Sequence, residues 1–314
     1  MYREKTIPVI VQNKENITST IKRFTLVAAK GTLPYFSAGS HITTYVGEAG
    51  NIARPYSLNN NPDNNNCYEI SVRLDDQSKG GSQYWHEEIK IGSQIEISYP
   101  KNHFPLSFKA KHHVFYAAGI GITPFLSMMA ELKESGRSFE LHYAAKTKEQ
   151  CAFYDVLKEM YPGCCHFYFS KETKKLTVDS LLQHNIGTHV YFCGPESFIT
   201  SFVKAAQQFG YPNGSVHFER FSAPVQINRV PFKVQVANEK EITVSEDETL
   251  LEALLSAGIP APYSCRVGRC GTCEWKVIEG EVDHQDKFLN KEQRKTSIIT
   301  CVSRAKSGNI YITR

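Results

Sequence analysis

No apolar run in this 314-residue chain approaches the roughly 18 residues needed to cross a bilayer. The opening segment, MYREKTIPVIVQNKEN, lacks the apolar core of a secretory signal. Neither a membrane protein nor a secreted one is therefore expected. Lys and Arg gather into no stripe, and no basic-plus-aromatic module appears. The formal charge of +4 is small and dispersed, so nucleic acid is not an expected partner. Internal repeats and low-complexity tracts are absent; 59–66 reads as a polar loop. A disulfide framework is missing too. Of nine cysteines, Cys67, Cys151, Cys164, Cys165 and Cys193 have no framework spacing, which points to a reducing, cytoplasmic setting. What remains is an ordinary globular composition, 41% hydrophobic and 22% charged, long enough for two or three domains with ample core.

The other four cysteines are ordered. Cys265, Cys270 and Cys273 stand in one loop as C-x4-C-x2-C, and Cys301 follows further on. Plant-type ferredoxins hold a [2Fe–2S] cluster with this spacing. Soft, anionic thiolate suits iron, and Gly268 and Gly271 supply the unusual backbone and bare N–H groups a cluster loop needs. A structural zinc site is the alternative, but zinc quartets usually come as two separated pairs. The spacing favours the cluster.

Three segments and a linker are expected. Residues 1–106 carry short alternating runs between Gly, Pro and Asn turns, the pattern of an antiparallel β-barrel. From 107 to 222 strands alternate with helices, among them 125–134, 152–160, 178–183 and 197–209, which predicts a parallel α/β sheet. Residues 223–231 read as a linker. The remainder, 232–314, has two strands, a helix over 249–257 capped by Ser245 to Glu248, the cysteine loop and a late fourth cysteine, which is the order of a β-grasp ferredoxin. The fold class is thus multidomain, α+β and α/β.

Three further motifs bear on chemistry. Arg54-Pro55-Tyr56-Ser57 combines a phosphate-binding cation, a ring that packs beside a flat heterocycle and a hydroxyl donor; alone it equally describes a strand end. Lys79-Gly80-Gly81-Ser82 offers a second phosphate cradle before a helix over 83–89. Gly119-x-Gly121-x-x-Pro124 follows a strand and opens a helix, as dinucleotide loops do, although proline replaces the third glycine; a tight turn without ligand is the bland alternative. Cys193-Gly194-Pro195 ends a strand of the same sheet, where open α/β sheets bind ligands. Cys193 is otherwise packing, and nothing marks it as a nucleophile.

Taken in order, RPYSL, GGS, GIGITP, CGP, HFERF (217–221) and CRVGRCGTC resemble the phthalate dioxygenase reductase family over essentially the whole chain. The resemblance implies FMN rather than FAD on Arg54, Tyr56, Ser57, Gly81 and Ser82, with Thr123 near its ring. It implies NADH between Gly119–Gly121 and Cys193–Gly194, and Phe221 stacked on the flavin beside Glu219. NADPH stays open at Lys146 and Lys148, where a 2′-phosphate would lie. Hydride would pass from NADH to FMN, and single electrons through the cluster to a Rieske-type oxygenase on another chain, since no Rieske motif or mononuclear iron triad occurs here. No side-chain acid, base or nucleophile is then required. The last segment carries twelve basic and twelve acidic residues. Arg266 and Arg269 on the cluster loop either dock an acidic rim of the partner or merely offset cluster charge. A reductase for a non-Rieske monooxygenase and a redox-sensing module are the competing readings. Aromatic acids, O-methyl aromatics and quaternary amines such as carnitine all stay open as final substrates, and the Asp283-His284-Gln285-Asp286 stretch does not choose among them.

Overall fold

The computed structural model describes residues 5–75, 80–172, 174–222, 229–237, 241–306 and 308–314. Most of the expected linker (223–228) and Lys79 lie outside them. The chain divides into two compact units, Lys5–Arg220 and, from Phe221, the remainder.

The first unit begins with strands β1 (Thr6–Asn16), β2 (Ile21–Ala28), β3 (His41–Val46), β4 (Ile52–Ser57), β5 (Tyr68–Arg73) and β6 (Gln94–Ser98). They pair antiparallel in the order β4-β3-β6-β1-β2-β5, and a bridge between Leu58 and Ile70 brings the two edges together. The period-2 pattern explains the curl: Ile7, Val9 and Val11 point inward from β1 while Pro8 faces out. A bulge between Val11 and Asn13 bends the strand further. Helix α1 (Gly81–Glu87) stops the barrel with Trp85, fully buried, edge-on to Phe24 at 4.6 Å. Its indole N–H reaches Thr44 Oγ1 at 3.4 Å.

The same unit continues into β7 (His112–Ala118), α2 (Thr123–Glu134), β8 (Phe139–Ala145), α3 (Tyr154–Met160), β9 (Cys165–Phe169), β10 (Thr188–Cys193), α4 (Glu196–Gln208) and β11 (Val216–Glu219). The strands are parallel, ordered β11-β10-β7-β8-β9. The chain builds β7 to β9 in one direction, then returns to the other side of β7 for β10 and β11. The switch point of this doubly wound sheet therefore falls between β7 and β10. Phe125, Met128, Met129 and Leu132 fill the core beneath α2, as their helical spacing predicts. The helix expected over 178–183 is instead a 3-10 turn, Val178–Gln183, which buries only Leu181. One apolar anchor does not sustain a longer helix.

On this sheet His217 lies against buried surroundings, its Nε2 2.9 Å from His189 Nδ1 and its ring stacked on Tyr191. Burial, and then the neighbouring His189 and His113, push its pKa down from 6.5 to about 4. The neutral ring is thus the folded form. Its contribution is complete above pH 6.5 and is lost as pH falls toward 4, because the unfolded ring takes the proton first. Thermal scans should show Tm falling over that window, and His217→Gln should make the fall shallower.

The second unit contains β12 (Phe232–Val236), β13 (Glu241–Val244), α5 (Leu250–Ser256), β14 (Glu274–Glu279), β15 (Val282–Asp283), β16 (Ser297–Ile299), β17 (Arg304–Ala305) and β18 (Asn309–Thr313). The main sheet runs β13-β12-β18-β14-β16 and curls against α5, whose Leu250, Leu251, Ala253 and Leu254 are buried. The capping box sits one turn later than the sequence frame Ser245 to Glu248 suggests. Thr249 is the N-cap: its Oγ1 accepts from Glu252 N at 3.1 Å, and Thr249 N donates to Glu252 Oε2 at 2.9 Å. Both frames read S/T-x-x-E. Only the later one starts the helix where its leucines face the sheet. Ser245 and Glu248 form their own turn instead, Ser245 N donating to Glu248 Oε1 at 3.0 Å. Arg304, nearly buried, fastens that turn by donating to the carbonyls of Glu248 (2.6 Å), Ser245 (2.8 Å) and Val230 (3.1 Å).

Candidate cofactor sites

The two flavin motifs meet. A Cβ built on Gly81 would lie 2.8 Å from Arg54 Cγ and 2.9 Å from its Nε, so the arginine of β4 packs directly on the glycine that opens α1. Arg54 Nη1 donates to Ala53 O at 2.9 Å, and Thr44 Oγ1 donates to Arg54 O at 3.3 Å, which together hold this strand end. Tyr56 leans edge-on against Trp85 at 6.0 Å, and burial drives its phenol pKa well above 10, so it stays neutral. Ser57 is buried, and Ser82 Oγ accepts from Asp75 N at 3.1 Å. A cation and two hydroxyls thus share one rim of the barrel with a tyrosine ring. Gly81→Ala should displace the arginine rather than break the fold, since the clashing atoms belong to a flexible side chain. Flavin affinity, read by fluorescence on dilution, should fall about tenfold, equal to ~1.4 kcal/mol.

The nucleotide loops meet at the switch point. Gly119–Ile122 forms a 3-10 turn after β7 and packs against β5 and β8. A Cβ on Gly121 would fall within the carbonyl of Cys193 and 2.7 Å from Gly194 N. One on Gly194 would meet Ala118 Cβ at 2.9 Å. Cys193 ends β10 fully buried, paired with Ala117, which supports a packing role. Thr123, buried, donates its Oγ1 to Ile120 O at 3.0 Å and so stiffens the turn. Dinucleotides bind open α/β sheets beyond the strand ends at such a switch point.

The four ordered cysteines converge in the second unit. The thiol of Cys265 bonds with Cys270 and that of Cys273 with Cys301, while Cys301 feels Cys265 across the group. The neighbouring thiols, then burial, hold Cys265 and Cys301 far above the usual thiol range, whereas Cys273 is lowered by its bond from Cys301. Backbone N–H groups aim at the sulfurs: Val267 and Arg269 at Cys265, Gly268 at Cys301. Four crowded sulfurs with N–H donors around them are poorly placed to ionise alone and well placed to ionise onto cationic iron. The residues fit a [2Fe–2S] cluster.

Glycine at 268 is required twice over. Its φ is +74°, and a Cβ would lie 2.6 Å from Val302 Cγ2. Gly271 is closed in likewise by the Phe288 ring. Arg266 has φ +55° and sets its guanidinium 4.5 Å from the Tyr263 ring. Phe221, 43% exposed, opens this unit. Asp286, part of a stretch that chooses no substrate in the sequence, braces the loop in the structure. It is buried and accepts from Leu289 N at 2.8 Å and Phe288 N at 3.1 Å, while Lys287 N donates to Gly268 O at 3.0 Å. A buried acid inside a turn leaves no periodic trace in a sequence.

Known proteins give the same picture. Family models match at 8–105 (oxidoreductase FAD-binding domain), 97–216 (dimethylamine monooxygenase subunit DmmA-like, N-terminal domain) and 234–306 (2Fe-2S iron-sulfur cluster binding domain). The crystal structure of phthalate dioxygenase reductase superposes with a TM-score of 0.82 at 33% identity, covering 98% of each chain. The chain belongs to the phthalate dioxygenase reductase family. It is 41% identical to the heme-dependent oxidative N-demethylase beta subunit of Ectopseudomonas mendocina (strain ymp), over 94% of this chain and 95% of that one. It is 38% identical to the carnitine monooxygenase reductase subunit of Escherichia coli (strain K12), over 97% of each. As a family member it is an oxidoreductase, the reductase component of a two-component oxygenase, with a flavin-binding barrel and a [2Fe–2S] domain. Among the described residues, no helix is long and apolar enough to cross a membrane.

Proposed function

We propose that this reductase draws electrons from NADH and delivers them singly to an oxygenase that attacks an alkylated amine. The observation that carries the reading is the convergence of four thiols under backbone donors, in a chain where Arg54 packs on Gly81 and Gly121 on the Cys193 carbonyl. Flavin supplies the change from two-electron to one-electron chemistry, and the cluster supplies single-electron carriage. The chain's own residues position and tune. Arg54, Gly81 and Ser82 would take the flavin phosphate, Tyr56 and Ser57 its ring edge, and Thr123 its far side. Gly119, Gly121, Cys193 and Gly194 would line the NADH path, with Phe221 covering the flavin face. Cys265, Cys270, Cys273 and Cys301 would hold the cluster. The domains would run 1–106, 107–222 and 232–314, joined by 223–231.

FMN is the flavin implied by resemblance, although the matching domain is described for FAD. NADH is favoured over NADPH because Lys148, one of two lysines at the end of β8, lies 4.7 Å over Tyr154. The free thiols fit a reducing, cytoplasmic setting. Amine substrates are favoured because two similar proteins are named for carnitine oxygenation and N-demethylation. We assign a Rieske-type acceptor, docked by Arg266 and Arg269. A heme acceptor is the second reading, favoured by the 41% identity to a heme-dependent N-demethylase subunit. Anaerobic NADH titration should bleach flavin and cluster bands together and consume about three electrons per chain. Chromatography of the released flavin separates FMN from FAD. A cluster spectrum unmoved by NADH would overturn the reading.

A further inference from the structure

The two loops that follow β7 and β8 are joined by a buried hydroxyl. Tyr143 of β8 pairs with Ala117 of β7 near the strand ends and is fully enclosed. Its hydroxyl donates to Gly119 O at 3.0 Å and accepts from Ala152 N. Gly119 opens the turn after β7. Ala152 lies late in the loop between β8 and α3, which begins with Lys146, Thr147 and Lys148. Burial holds the phenol well above its ordinary range, so the oxygen keeps its proton and stays a donor to the carbonyl.

The loop after β8 is strained beside this bond. Phe153, which follows Ala152, has φ +64°, a left-handed conformation unfavourable for a residue with a Cβ. Such a backbone persists only where its surroundings fix it. Here Ala152 N is held by Tyr143, Cys151 N donates to Lys148 O at 3.0 Å, and Tyr154 N donates to Cys151 O at 3.2 Å. The Phe153 ring is itself buried.

We infer that Tyr143 is a positioning residue for NADH, its hydroxyl holding the two loops at the spacing one dinucleotide needs. The inference rests on the NADH path proposed above. Gly119 lies on that path, and Lys146 and Lys148 lie where the 2′ position of the ribose would fall. An enclosed phenol does not reach a ligand, so Tyr143 acts through the loops. Removing its oxygen takes a partner from a carbonyl and an amide at once, and the loops lose their tie. Tyr116 supplies the contrast. It is equally buried on β7, but it pairs with His142 and so faces the other side of the sheet, where its hydroxyl lies 2.7 Å from His184 Nε2.

The test uses the full chain with flavin and cluster loaded. NAD+ is titrated calorimetrically, and turnover of NADH with ferricyanide gives KM and kcat. Tyr143→Phe, which removes only the oxygen, should raise Kd for NAD+ and KM for NADH about fivefold or more, with kcat within about twofold. Flavin and cluster absorbance should stay unchanged. Tyr116→Phe should lower Tm as much as Tyr143→Phe does, yet leave Kd and KM within about twofold of wild type. A KM in Tyr143→Phe within about twofold of wild type, or an equal rise in Tyr116→Phe, would overturn the inference. Gly121→Ala tells the two failures apart. If its KM rises and that of Tyr143→Phe does not, only Tyr143 loses its role; if neither rises, the NADH path falls as well.

Discussion

Cys301→Ser should strip the chain of its cluster and leave its flavin. Cys301 is 2% exposed, its sulfur touches Cys273, and the Gly268 N–H points at it. A serine oxygen sits closer to its Cβ, is harder, and ionises far less readily, so iron loses one of four anchors and gains no substitute. Cluster absorbance should fall by at least nine-tenths. NADH-driven reduction of cytochrome c, a one-electron acceptor, should drop about 100-fold, equal to ~2.7 kcal/mol of barrier. Ferricyanide reduction, served from the flavin, should stay within about twofold, because the residues proposed for flavin and NADH, Phe221 apart, all lie in the Lys5–Arg220 unit. Retention of a full cluster in the variant would remove Cys301 from the ligand set. Loss of both activities would mean that the two units do not fold independently.

Gly121→Ala should be the most damaging single methyl group in the first unit. Its Cβ would fall inside the Cys193 carbonyl and 2.7 Å from Gly194 N, and both neighbours are backbone. The parallel pairing of β7 with β10, Tyr116 opposite Phe192 and Ala117 opposite Cys193, holds those atoms in place. No rotamer can relieve the overlap, so the two loops must part. The cost should be about 3 kcal/mol, with Tm lowered by roughly 6 °C or more. KM for NADH should rise at least tenfold if NADH binds where we propose, because those same atoms would line its path. Gly119→Ala is the informative contrast. That residue has φ +56° but no heavy atom within 4 Å of its built Cβ. Only backbone strain of about 1 kcal/mol opposes the change, so Tm should move little. A rise in KM at position 119 without loss of Tm would mark nucleotide contact there. A normal KM in both variants would remove NADH from this path.

Short-range chemistry was the legible part of this molecule. A cluster loop needs thiolates at set spacing and glycines between them, so Cys265 to Cys273 could be read directly. A dinucleotide turn needs small residues between a strand and a helix, so Gly119 to Pro124 stood out. Periodicity separated the barrel from the α/β sheet, because inward-facing residues recur every second position in one and on helical faces in the other. Local frames were harder. Ser245 and Thr249 both begin an S/T-x-x-E sequence, and only the burial of Leu250 and Leu254 against the sheet selects the second. The turn Val178–Gln183 carries helical residues but too little apolar contact to extend.

The order of segments, the loop Cys265 to Cys273 and the flavin and nucleotide motifs were legible in the sequence, since each motif rests on residues close together in the chain; Cys301 meets Cys273 only through the fold. Tertiary structure alone decided which motifs touch. Arg54 meets Gly81 because the barrel curls, and Gly121 meets Cys193 because β10 returns to the side of β7. Asp286 reaches the cluster loop only through the turn that folds back beneath it. His142 and His166 both reach Glu140 at 2.9 Å only because parallel strands are held in one register. Contacts between distant segments depend on that register and on chain reversal, and neither is written in any short stretch of residues.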